Sequence, residues 1–168
     1  ITATLACAAC SCAPTSGALL PTSVAQDPEG SRHLFILSGQ SNMAGLDPEI
    51  SFTPTVIKAF GKDRVLIVKD AHGGQSIRSW CESNHEFPPP TVGRVPKVRG
   101  ELYARLLNKT KAAIGGEAIQ SATLVWMQGE SDLRNTAYDD YLSELLQQLQ
   151  RDLKRKDLNL VIGRISDA

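Results

Sequence analysis

Neither sign of charge prevails in this chain: 18 Lys and Arg residues stand against 18 Asp and Glu residues over 168 positions, with no long run of either. That balance removes the electrostatic footprint that nucleic acid or an anionic membrane surface demands, and it suits a small neutral substrate. Internal repeats are absent. So is any membrane-spanning apolar stretch in the residues after the leader described below. Neither GxxxxGK[ST] nor GxGxxG occurs, which argues against a nucleotide phosphate cradle. Histidine is scarce, at three residues. What remains is one domain's length of chain, 42% hydrophobic, enough to bury a real core.

Cysteine is also rare, and three of the four (Cys7, Cys10, Cys12) fall in the first ~25 residues, which carry no charge and are rich in Ala, Thr and Ser. This is the composition of the later part of a secretory leader. Ser23-Val24-Ala25 resembles a small-x-small cleavage site before Gln26, and Leu5-Ala6-Cys7 partly resembles the lipid-attachment signal of bacterial lipoproteins. Either implies export to the periplasm or the extracellular space, with membrane contact only through a lipid anchor. The three cysteines lack a second ligand cluster, so their spacing is a poor metal motif. The polar stretch Gln26 to Ser31 reads as a linker, which sets residues 1–31 apart from a domain at 32–168. The chain starts at Ile1 and stops at Asp167-Ala168 directly after an apolar run, so the expectation is a fragment. Cys81, alone in the folded part, reads as a buried filler or a partner for a cysteine further along; no activating context surrounds it.

From Arg32 onward, short apolar runs alternate with amphipathic patterns. Strands are expected at 33–38, 64–69, 121–127 and 158–165, and helices at about 100–114 and 136–155. The alternation predicts a parallel α/β sheet. Tyr138, Tyr141, Leu142, Leu145, Leu146, Leu149 and Leu153 form one stripe on the last helix, whose start is expected at a Thr136/Asp139 capping box. Gly115-Gly116 stops the earlier helix. The proline-rich segment from Phe87 to Pro96 is expected to be a surface loop.

In a parallel sheet the carboxyl ends of the strands share one edge, and ligands bind in the crevice there. Three turns follow strands in this chain: Gly39-Gln40-Ser41-Asn42-Met43-Ala44-Gly45, His72-Gly73-Gly74-Gln75-Ser76, and Gln128-Gly129-Glu130-Ser131-Asp132. Acyl transfer needs a nucleophile, a base and oxyanion donors. Ser41 offers the hydroxyl on a glycine-flanked turn together with its own backbone N–H, Gly74 a second N–H, and the Gln128 amide a third. The base is not evident among these turns.

Gly39-Gln40-Ser41-Asn42-Met43, Gly73-Gly74-Gln75-Ser76-Ile77 with Trp80, and Trp126-Met127-Gln128-Gly129-Glu130-Ser131-Asp132 together resemble the sialate O-acetylesterase-like branch of the SGNH/GDSL hydrolases, which includes carbohydrate esterase family 6. The resemblance runs from about His33 to the chain end. It implies a three-layer α/β/α sandwich of flavodoxin-like type, incomplete at its C-terminus, and a serine esterase that removes O-acetyl groups from carbohydrate without cofactor or metal. By position Ser41 matches the nucleophile, Gly74 or else Gly73 the oxyanion glycine, and Gln128 the glutamine that replaces the usual asparagine donor. Gln40 and Asn42 flank the nucleophile. The base histidine and its aspartate belong to an Asp-x-x-His motif after the last strand, which this sequence does not reach, so the chain as it stands is expected to be nearly inactive.

Other residues compete for roles. His72 could line the pocket mouth or simply be a polar turn residue; His85 and His33 read as solvated or structural. Glu130 and Asp132 could hold a cation, but no further oxygen-rich cluster supports them, and hydrogen bonding to the turn and to Arg78 or Arg134 is the plainer expectation. Trp80 is expected to contact substrate, with Trp126 packed beneath the site. Two other functions fit the same turns: a carbohydrate-binding module that kept the fold and lost its triad, and a flavodoxin-like phosphate binder using the Gly39–Asn42 turn.

Overall fold

The computed structural model describes residues 30–82 and 99–164. The leader with Cys7, Cys10 and Cys12, the linker up to Glu29, His85, the proline segment and residue 165 lie outside the described residues; the last strand, expected through 165, ends at Ile162.

Four strands, β1 (Arg32–Gly39), β2 (Val65–Ala71), β3 (Ile119–Met127) and β4 (Leu158–Ile162), pair in parallel in the order β2-β1-β3-β4. β1 lies at the centre with nearly every residue buried, as a strand covered on both faces must be. Alternation along it divides the core. Leu34 and Ile36 face α3 (Glu101–Ile114) and α4 (Tyr138–Asp152); Phe35 and Leu37 face α1 (Ser41–Gly45) and α2 (Phe52–Phe60). The result is a three-layer α/β/α arrangement, in which each fully buried Leu, Ile or Phe contributes about 1.5–3 kcal/mol of transfer free energy. On the outer strand β4, Val161 and Ile162 remain 52% and 55% exposed.

The connections leave the sheet on opposite sides. From β1 the chain crosses to β2 through α1 and α2 on one face; from β2 to β3 and from β3 to β4 it crosses through α3 and α4 on the other. The strand order therefore reverses between the neighbours β1 and β3, and a crevice opens at their carboxyl ends.

Residue patterns explain most boundaries. α3 buries Leu102, Tyr103, Leu106 and Thr110 and ends at Gly115, left-handed at φ 55°, whose N–H donates to Lys111 O at 3.1 Å. Asp70, buried on β2, accepts from Arg105 Nε at 2.8 Å and Lys109 Nζ at 2.5 Å, which ties α3 to the sheet. α4 buries Tyr141, Leu145, Gln148 and Leu149, with Tyr138, Leu142, Leu146 and Leu153 packed at the margin.

Three expectations are corrected. The Thr136/Asp139 capping box does not form: α4 begins at Tyr138 with Ala137 as its N-cap and no side-chain cap, and the preceding turn is held by Asn135 Oδ1, which accepts from Ala137 N at 3.1 Å. The same helix stops at Asp152 rather than 155, because the chain turns through Lys154 at φ 54°. α2 was not expected at all. Phe52, Val56 and Phe60 recur at four-residue steps, and Phe52 and Phe60 pack on Phe35 with ring centroids 5.6 and 5.9 Å apart; Pro54, in the first turn, costs no helical hydrogen bond.

Candidate active site

The first turn is shaped by Gly39, whose φ of +142° and lack of a side chain let β1 and β3 come together: a Cβ there would lie 2.0 Å from Met127 O. Gln40 N then donates to Met127 O at 2.9 Å, and Ser41 opens α1, exposed at the sheet edge. The second turn joins the first through His72 N, which donates to Gly39 O at 3.0 Å. Its Gly73 comes up against the serine, since a Cβ on Gly73 would stand 3.8 Å from Ser41 Cβ. Gly74 follows at φ +67° with open space around it, and the His72 side chain is exposed.

The third turn is bolted to the other two by buried side chains. Gln128 Nε2 donates to Gln40 Oε1 at 3.1 Å, to Gln75 O at 3.1 Å and to Asp132 Oδ2 at 2.5 Å. Gln40 Oε1 also accepts from Ser131 N at 3.3 Å. Asp132 takes Ser76 Oγ and Ile77 N, both at 2.8 Å, and Asn135 Nδ2 at 3.1 Å. Asn42 Nδ2 donates to Glu130 Oε1, which links the residue after Ser41 to the same turn. The three turns therefore meet beside Ser41, with Gln40, Gln128 and Asp132 buried between them.

Several residues take other places than expected. Trp80, expected to contact substrate, is fully buried, its ring edge-on to Trp126 at 5.2 Å and 87°, so it forms the floor under the turns. Trp126 lies beneath the site as expected; its Nε1 donates to Tyr138 Oη at 3.0 Å, and that hydroxyl donates to Gln128 O at 2.7 Å. Among the described residues neither Arg78 nor Arg134 bonds the carboxylates of Glu130 and Asp132, which serve the turns. The two protons of the Gln128 amide are shared among three acceptors within the site. His33 sits at the far end of β1, with Nδ1 2.8 Å from Ser121 Oγ and its ring on Phe60. Cys81 is a buried free thiol that donates to Tyr141 O at 3.3 Å, and burial pushes its pKa well up.

Sequence reasoning gave Asp132 no more than a supporting part and saw Tyr138 only as one member of a helix stripe. A signal for Asp132 was present: an acid following a glycine turn can collect the hydroxyl and backbone N–H groups of a second glycine turn such as Gly73–Ile77.

Arg78 Nε, Trp80 Nε1, Gln128 Oε1 and Glu130 Oε2 are buried without a hydrogen-bond partner. Native interiors satisfy nearly all such atoms, and exceptions gather at functional sites. All four lie on the turns and the 3-10 helices that follow β2 and β3, Ile77–Trp80 and Glu130–Asp132. By contrast, a cavity of about 270 Å³ at the opposite sheet end, lined by Leu34, Ile114, Ile119, Leu153, Glu117, Lys154 and Arg155, has no serine, cysteine or histidine in its lining.

Asp132→Ala should leave four donors without their acceptor and cost about 3–5 kcal/mol, read from urea unfolding of the full-length protein. A loss under 1 kcal/mol would contradict the network. Burial pushes Tyr138 up to about 12 from an ordinary 10.0. Its contribution is present below pH 10 and is lost as pH rises through 12. Wild-type protein should therefore exceed Tyr138→Phe in urea midpoint at pH 9, with the gap narrowing by pH 11.5; a constant gap would contradict the assignment.

An open parallel sheet with helices on both faces, and a serine turn at its reversal point, is the architecture of the SGNH-type α/β hydrolase fold. The chain belongs to the family described as carbohydrate esterase, sialic acid-specific acetylesterase, whose model matches residues 44–168. It is similar to the probable carbohydrate esterase At4g34215 of Arabidopsis thaliana, at 25% identity over 158 residues. That match covers 89% of this chain and 54% of the plant protein, so the chain spans about half the length of the curated relative. The X-ray structure of Arabidopsis thaliana AT4G34215 shares the fold with a TM-score of 0.59 and 20% identity, over 79% of this chain and 73% of that one.

Proposed function

We propose that the full-length protein is a serine acetylesterase acting on O-acetylated carbohydrate, with Ser41 as nucleophile. The carrying observation is that Gly73 comes up to Ser41 while Gln40, Gln128 and Asp132 lock the three turns around it. Ser41 Oγ attacks the acetyl carbonyl, the sugar hydroxyl leaves, and water releases acetate from the acyl-enzyme. The backbone N–H groups of Ser41 and of Gly73 or Gly74 take the oxyanion. Gln128 adds a third donor when one of its two protons swings from the three acceptors that share them.

The base comes from the Asp-x-x-His that the resemblance implies after β4. Gly163 N donates to Trp126 O at 2.8 Å, so the chain leaves β4 at the same sheet edge as Ser41, the side on which a base is needed. The buried, unpartnered Glu130 Oε2 then accepts an N–H or O–H brought by that base or by substrate. Export, with or without a lipid anchor, fits the uncharged leader.

A fluorescent serine-reactive phosphonate, applied to the full-length protein and mapped by peptide mass, is expected to label Ser41. Label on another residue, or none, would overturn this reading.

A further inference from the structure

α1, which carries Ser41 at its start, is five residues long, too short to hold its place by its own hydrogen bonds. Its attachments are few. Met43 is buried beneath it, Gln40 N reaches Met127 O just before it, and Asn42 Nδ2 reaches Glu130 Oε1. Both of these hydrogen bonds run to β3 or to the turn that follows β3. A short helix tied on one side and seated on one apolar side chain can still rock, and its last carbonyls find no partner within the helix.

Lys69 supplies the other side. It stands on β2 opposite Leu37, half-buried, on the same face as Ile67 and Ala71, which is the face of α1 and α2. Its Nζ donates to Ala44 O at 2.9 Å and to Leu46 O, the carbonyls at the end of α1. An ammonium has three donors and a compact charge, which suits it to gather two carbonyls at a helix end. Among the described residues no carboxylate competes for it. Two residues further on, β2 ends at Ala71 and the chain turns through His72 into Gly73, which comes up to Ser41. The strand that presents the oxyanion glycine therefore also grips the helix that presents the nucleophile.

We propose that Lys69 is a positioning residue for the ester cleavage: by clamping the end of α1 to β2, it fixes Ser41 Oγ against the Gly73–Gly74 backbone, where attack and oxyanion capture must occur together. Lys69 acts through α1 and not on the substrate. Misplacement by about 1 Å can cost on the order of 10²-fold in rate, so a clamp behind the nucleophile governs turnover. The inference rests on the reading of Ser41 as nucleophile.

The test measures two rates on the full-length protein: turnover of an aryl acetate, and labelling of Ser41 by a fluorescent phosphonate. Lys69→Met, which keeps the apolar stem and loses the donors, should slow both by at least ~10-fold, with KM within about twofold of wild type. Lys69→Gln, polar but one bond short of the two carbonyls, should behave the same way and serves should the methionine variant fail to fold. Lys69→Arg, which can reach both carbonyls, should recover most of the loss. Lys109→Met is the control, because Lys109 binds Asp70, the next residue of β2, on the opposite face of the sheet. It loosens the same strand away from α1 and should leave both rates unchanged. Wild-type rates in Lys69→Met or Lys69→Gln would overturn the proposal. So would a loss confined to KM, a Lys69→Arg variant no faster than Lys69→Met, or an equal fall in Lys109→Met. Absence of label on wild-type Ser41 would remove the esterase reading and this inference with it, whereas label that wild type and the Lys69 variants take up equally fast would remove the inference alone.

Discussion

Ser41→Ala in the full-length protein is expected to lower hydrolysis of an acetylated sugar or an aryl acetate by roughly 10⁵–10⁶-fold, with little change in stability. The size follows from the mechanism: without the hydroxyl no acyl-enzyme forms, and the oxyanion donors retain only what they can do for direct attack by water. The small stability effect follows from position. Ser41 is exposed, and the packing of α1 depends instead on Met43, which is fully buried beneath it. Steady-state kinetics and thermal unfolding on the same sample separate the two effects. Residual activity above one-hundredth of wild type would exclude Ser41 as nucleophile, and a large drop in melting temperature would show that the loss came from the fold.

Gly39→Ala is expected to be the most damaging added methyl among the glycines of the described residues. The added Cβ would meet Met127 O at 2.0 Å, a backbone atom in the neighbouring strand that cannot rotate away, at a φ of +142° that an L side chain rarely adopts. Relief requires β1 and β3 to separate where Gln40 N reaches Met127 O, at the base of both the first and third turns. A loss above about 5 kcal/mol is expected, enough that little folded protein remains. Gly45→Ala is the control, with nothing within 4 Å of its Cβ, and should stay within about 1 kcal/mol. Comparable urea midpoints for the two variants would contradict the contact.

The parallel α/β class and the four strands were legible because apolar runs separated by amphipathic helices leave few other arrangements. β1, β2 and β3 lie within two residues of expectation at every end. Ser41 could be read from its turn, and the meeting of three turns from the sheet's polarity. Pairings were not legible. Nothing local to Trp80 separates a substrate platform from a floor; that is decided by Trp126, 46 positions away, turning its ring edge-on. Nor could Asp132 be seen as the acceptor for Ser76 and Ile77, since its partners are 56 and 55 residues distant. α2 was not expected, although Phe52, Val56 and Phe60 recur at four-residue steps; packing on Phe35, distant in sequence, fixes it.

The buried lattice of Gln40, Gln128 and Asp132 also bears on how such a site can diversify. Each of the three turns is held from within by the other two, so their outer surfaces need not contribute to cohesion. Gly74, at φ +67°, is held to glycine by its backbone, whereas the exposed His72 lies on that outer side. Substitutions there can accumulate one at a time, while a change in the lattice demands compensation from its neighbours in the same step. Substrate preference is thus free to drift at the rim, and the inner frame stays fixed across that drift.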